Sequence, residues 1–103
     1  MEAILSADRV SRISRIEQRL RGSLSPLELR IEDESHLHAG HVGARDGRGH
    51  FRVSIVSDRF EGASRVKRHR MIYDALADEM RDDIHALAIE AFTPAEWQSR
   101  PEA

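Results

Sequence analysis

The sequence predicts an α+β layer fold, with a small three-stranded mixed sheet and helices packed on one face. Three observations predict it. An apolar residue recurs every three or four positions between Val10 and Leu20, and two later runs alternate apolar and polar residues with a period of two. A helical stretch then separates the second strand from a third, so those two strands should run parallel, whereas the first two can pair as a hairpin.

The first helix is read from Ser6 to Arg21: Val10, Ile13, Ile16 and Leu20 form its apolar stripe among arginines, with Ser6 as N-cap and Gly22 as stop. After Ser25 and Pro26, Leu27, Leu29 and Ile31 alternate with Glu28, Arg30 and Glu32, giving a half-buried strand. Phe51, Val53 and Ile55 alternate with Arg52 and Ser54 in the same way. Between these strands lies a long connection, residues 36–50, with Gly40, Gly43, Gly47 and Gly49 and almost no apolar side chains; its composition predicts a flexible loop, and its length calls for a functional explanation. A turn around Gly62 leads to a second helix from Arg65 to about Met80, with a face set by Val66, Ile72, Tyr73, Leu76 and Met80. The third strand is Ile84 to Ala91. Thr93, Pro94 and Glu96 then form a capping box with proline at the first helical position, opening a short last helix through Trp97. The element order is helix, strand, strand, helix, strand, helix.

At 103 residues, one domain is expected, ordered over about 8–98. Hydrophobic residues make up 40% and charged residues 33%, which implies a thin aliphatic core under a charged surface. A formal charge of −2 excludes a globally basic nucleic-acid binder but permits a local basic face. With no cysteine the chain has no disulfide, no thiol nucleophile and no thiolate for a zinc or iron site, so any metal chemistry must be completed by a partner. No run approaches the roughly 20 apolar residues of a membrane span, and the opening ten residues lack a secretory pattern, so a cytoplasmic location is the default.

Chemistry is concentrated in the six histidines. His36, His38 and His41 share the glycine-rich loop and His50 closes it; they are either a solvated cluster or imidazoles able to reach a common point. His69 falls in the middle of the apolar arc of the second helix and is expected to point inward. His85 opens the third strand on the parity of Leu87 and Ile89, as a capped edge histidine or as a ligand presented from a rigid element. Arg65, Lys67, Arg68 and Arg70 form the densest basic run, either a solvated helix face or a contact for phosphate or an acidic partner. There is no glycine-rich phosphate loop, nucleophile elbow or HExxH, so independent catalysis is not expected.

Several of these segments together resemble the BolA family. They are Asp33-Glu34-Ser35 before a histidine-bearing loop, His50-Phe51 entering a strand that ends Val56-Ser57-Asp58-Arg59-Phe60, Gly62 before Arg68-His69-Arg70-Met71-Ile72-Tyr73, His85-Ala86-Leu87-Ala88, and Thr93-Pro94-Ala95-Glu96-Trp97. The resemblance covers about Val10 to Trp97. It implies a class II KH-like fold with a short extra helical turn before the second long helix. It also implies a heterodimer of this chain, monomeric when free, with a monothiol glutaredoxin. In that complex a [2Fe-2S] cluster is held by the glutaredoxin cysteine, glutathione thiolate and histidine from the BolA protein, for cluster trafficking or iron sensing. Carried over by position, one ligand falls on His85 and the other on His38 or His41, with His50 a weaker third. Family members are also described as DNA-binding transcriptional regulators in stress responses, which points to the helix around Arg68-His69-Arg70. Cluster docking and DNA are expected to compete for overlapping surface. The GxxG loop of a KH domain is missing, because Gly62-Ala63-Ser64-Arg65 lacks the second glycine.

Overall fold

The computed structural model describes residues 2–35 and 48–101, and their side chains from Ser11 onward. The order is α1 (Glu2–Leu24), β1 (Glu28–Asp33), β2 (Gly49–Val56), a 3-10 turn (Asp58–Phe60), α2 (Arg65–Ala75), α3 (Ala77–Asp82), β3 (Ile84–Phe92) and α4 (Pro94–Ser99). The extra turn implied by the resemblance is therefore present.

Helix α1 starts earlier than Ser6 and runs through Gly22. The reason is packing: Leu24 is buried beside Ile16 and Leu20, so continuing the helix places a third apolar residue in the core. The stop comes at Ser25, whose φ of 44° takes the left-handed conformation expected of the glycine, and whose N–H reaches Arg21 O at 3.3 Å.

The sheet order is β1-β2-β3, with β1 antiparallel and β3 parallel to β2. Phe51, Val53 and Ile55 of β2 lie in the core against Ile16, Leu20 and Leu24 of α1, Phe60 of the turn, and Ile72 and Leu76 of the second helical region. Ser57 joins these layers. Fully buried, it accepts from Arg59 N at 3.1 Å, donates to Leu24 O at 2.5 Å and so satisfies a carbonyl at the end of α1.

The second helix is not continuous to Met80. It breaks at Leu76, with φ −104° and ψ 22°, and α3 begins beyond it. Its buried face is the expected one only in part: Ile72 and Leu76 are in the core and Met80 packs against it, but Val66 is 67% and Tyr73 40% exposed, and Arg68 takes the inward position beside Ile72. Both stripes have helical spacing, so periodicity alone does not choose between them.

Candidate functional site

The neighbouring ends of β2 and β3 bring two of the histidines together. Gly49 starts β2 in a narrow space where a Cβ would lie 2.7 Å from the Phe51 ring and 2.8 Å from Ser35 Oγ. Its N–H donates to Asp83 O at 2.9 Å, which fixes the start of β2 to the turn before β3. His50 is then held through its backbone: its N–H donates to Ser35 Oγ at 3.0 Å, and its carbonyl accepts from Glu34 N at 2.7 Å.

On β3 the pairing slips by one residue, since Gly49 is opposite Ile84 but His50 is opposite Ala86. His85 is the additional residue of this bulge. The parity expected for His85 is therefore corrected. Ile84 enters the core at 1% exposure, and His85 is turned out to solvent beside His50. The two rings are 5.2 Å apart, centroid to centroid, and tilted by 51°. Arg48, the residue before Gly49, also reaches this ring, with Nη2 3.4 Å from His85 Nδ1 and Nη1 3.4 Å from Met80 O.

His36, His38 and His41 lie outside the described residues, which resume at Arg48, two residues before His50. Among the described residues no group of three or more His, Asp or Glu is placed to hold a metal ion. The donors that are placed, His50 and His85, fit an imidazole share of a metal centre whose remaining ligands come from elsewhere.

The basic run is divided between the faces of α2. Arg68 faces inward, and its guanidinium donates to Ala63 O at 2.9 Å, Ala91 O at 3.2 Å, and Glu96 Oε1 and Oε2 at 2.6 and 3.1 Å. Glu96 also accepts from Thr93 N at 2.9 Å as half of the expected capping box. The Arg68 guanidinium first, and the Thr93 N–H second, hold the Glu96 carboxyl down at about 2. Arg65, Lys67 and Arg70 remain exposed. His69 is not a core histidine: it is half-buried and borders a shallow recess with Arg65, Ile89 and Glu90.

Sequence reasoning missed Arg48, because its contact depends on the bulge, and it missed that Arg68 is tied to Glu96, because their pairing joins two elements. It also missed a groove of about 710 Å³ on the open sheet face, between Arg30 and Arg52 on the strands, Phe92 at the end of β3 and Trp97 of α4.

A family model described as BolA-like protein matches residues 20–96. The chain belongs to the BolA family. It is 53% identical over 91 residues to SufE-like protein 1, chloroplastic/mitochondrial, of Arabidopsis thaliana, covering 84% of this chain and 24% of that protein. It is 45% identical to BolA-like protein 1 of Mus musculus over 84% of this chain and 61% of the relative. It is also 44% identical to a protein of Escherichia coli named DNA-binding transcriptional regulator BolA, over 82% of this chain and 77% of that one. The chain thus spans from a quarter to about three-fifths of the length of the first two relatives. Among solved structures, the BolA domain of SufE1 from Arabidopsis thaliana superposes with a TM-score of 0.72 at 52% identity, covering 81% of this chain and 92% of that one. The solution structure of mouse BolA1 gives 0.72 at 43% identity, covering 87% and 71%. No helix among the described residues is long and apolar enough to cross a membrane.

Proposed function

We propose that this BolA-family chain is a binding module that joins a monothiol glutaredoxin and contributes histidine to a shared [2Fe-2S] cluster, in cluster trafficking or iron sensing. The carrying observation is the imidazole pair of His50 and His85 at adjoining strand ends, beside the segment that contains His38 and His41, in a chain with no cysteine. His85 is the ligand carried over by family position, and it is exposed on a rigid strand. His38 or His41 supplies the second nitrogen, with His50 the weaker alternative. The partner cysteine and glutathione supply the thiolates. When bound, the cluster provides an electron store or a transferable iron-sulfur unit, and imidazole ligation favours electrons on it relative to an all-thiolate site. The role is binding rather than catalysis. It serves equally in the cytoplasm expected from the sequence and in the organelles named for the plant relatives.

Mixing the purified chain with a monothiol glutaredoxin, glutathione, iron and sulfide should give a visible circular-dichroism spectrum distinct from that of the glutaredoxin homodimer. His85→Ala should abolish the difference, and of His38→Ala and His41→Ala one should alter it. An unchanged spectrum in His85→Ala removes that residue as a ligand.

A second function, DNA binding, is favoured by the name of the Escherichia coli relative and by exposed Arg65, Lys67 and Arg70 on one helix. Arg68 is not included, since Glu96 and two carbonyls already take up its donors. Phosphate contacts make affinity fall steeply with salt, so Arg65→Glu with Arg70→Glu should flatten that dependence, and binding that keeps its salt slope in the variant rejects this use of the helix.

A further inference from the structure

We propose that Arg48 guards His85, keeping it from bare divalent cations in the free chain and yielding it to a thiolate-bearing metal centre that offers acceptors for its N–H groups. This specificity role rests on the cluster-sharing function proposed above. Its starting point is the guanidinium Nη2 3.4 Å from His85 Nδ1, with Nη1 turned to Met80 O. Arginine has only N–H donors, so Nδ1 must face it as the acceptor, and the ring proton of the neutral imidazole is on Nε2. In that state neither nitrogen is ready for a metal. Ligation through Nδ1 displaces the guanidinium from the lone pair. Ligation through Nε2 moves the proton to Nδ1, where it points at another donor. Either way Arg48 must move off the ring.

What makes it move is set by charge. An arginine side chain brings a fixed positive charge to the ring. A bare divalent cation approaching His85 is repelled by it and offers it no acceptor. An oxidised [2Fe-2S] core with two thiolates and two neutral imidazoles sums to zero charge and becomes negative on reduction, so it does not repel the guanidinium as a bare divalent cation does, and its sulfur atoms or the carboxylates of glutathione can accept the N–H groups withdrawn from the ring. One residue thereby disfavours the wrong metal and favours the right complex, a use of repulsion in specificity. His50, with its ring 5.2 Å from that of His85, cannot substitute for it, because imidazole does not carry the fixed charge of a guanidinium.

The test has two arms. In the first, Co²⁺ is titrated calorimetrically into the purified free chain. Arg48→Gln should bind about tenfold tighter than wild type, the effect expected of one nearby charge, while Arg48→Lys, which keeps the charge, stays near wild type. Adding His85→Ala to Arg48→Gln should erase the gain. Unchanged affinity in Arg48→Gln, with thermal melts showing that the variant is folded, overturns the proposal. In the second arm, the reconstituted glutaredoxin complex of Arg48→Gln should have a lower reduction potential than wild type, because a cation that stabilises the reduced cluster is gone, and an unchanged potential also overturns it. Failure here with a His85-dependent spectrum leaves the cluster function standing. Failure of the spectrum itself removes that function while the Co²⁺ arm still decides the role of Arg48.

Discussion

At the scale of the residue, Gly49 and Glu96 each show a side-chain requirement that composition hides. Gly49 is needed for space and not for φ, since it is the Phe51 ring, almost fully buried, and Ser35 Oγ that occupy the volume a Cβ would take. Neither can retreat cheaply, because Phe51 is locked in the core and Ser35 Oγ holds His50 N. Gly49→Ala should therefore destabilise the fold by about 1–3 kcal/mol, the usual cost of overpacking, measured by denaturant unfolding. A loss of the His85-dependent cluster spectrum in the same variant, out of proportion to its stability, would mean that the start of β2 sets the geometry of the imidazole pair. Glu96 titrates about 2 in the fold against 4.5 ordinarily, so its contribution to stability is complete above about pH 4.5 and fades as pH falls towards 2. Arg68→Gln should raise its midpoint by carbon-detected NMR, though not fully to 4.5, since the Thr93 N–H remains. A midpoint that stays near 2 would show that Arg68 is not the main cause.

At the scale of the element, what was legible followed from local rules and what was not followed from contacts between elements. The alternation of Leu27, Leu29 and Ile31, and of Phe51, Val53 and Ile55, specified two strands and their core faces except at Leu27, which precedes β1 and is exposed, and the capping box at Thr93 and Glu96 fixed the start of α4 without tertiary information. The face of the second helical region was legible in Ile72, Leu76 and Met80 and missed in Val66, His69 and Tyr73, because Arg68 fits the helical period beside Ile72 and Leu76 as well as they do. The choice is made by Glu96 on another helix, which makes burying an arginine favourable. His85 was placed in the right strand and on the wrong parity, because a bulge inserts a residue that no alternation rule anticipates. Its pairing with His50 was correspondingly invisible. The end of α1 depends on a similar distant contact, Ser57 Oγ donating to Leu24 O. Removing that hydroxyl leaves a buried carbonyl unsatisfied, so Ser57→Ala should cost about 1–3 kcal/mol in thermal or denaturant unfolding, whereas the exposed Ser64→Ala cap at α2 should cost less, about 1 kcal/mol. Equal losses would mean that the Leu24 carbonyl finds water.

At the scale of the molecule, the two proposed interaction regions separate along the sheet. His50 and His85 stand where β2 and β3 begin, while Arg65 and His69 lie beside Ile89 and Glu90, towards the far end of β3. Eight residues of β2 span roughly 25 Å, so the histidine pair and the start of α2 are near opposite ends of the domain. Among the described residues, the groups proposed to touch the cluster and those proposed to touch DNA are therefore separated, and any competition between the two partners depends on how far the glutaredoxin extends. The topology is the cause: the chain leaves β2 at Val56, makes the turn and begins α2 at that end, and only returns through α3 to start β3 next to Gly49. Independent surfaces predict additive behaviour, because substitutions far apart with no shared partner rarely couple. If both functions are present, His85→Ala should leave DNA affinity and its salt slope unchanged, and Arg65→Glu with Arg70→Glu should leave the cluster spectrum unchanged. Titrating DNA into the loaded glutaredoxin complex should then give a ternary species by analytical ultracentrifugation. Displacement of the glutaredoxin by DNA at equal affinity would instead mean that the partner itself reaches across the 11 residues of α2, and that the chain switches between the two.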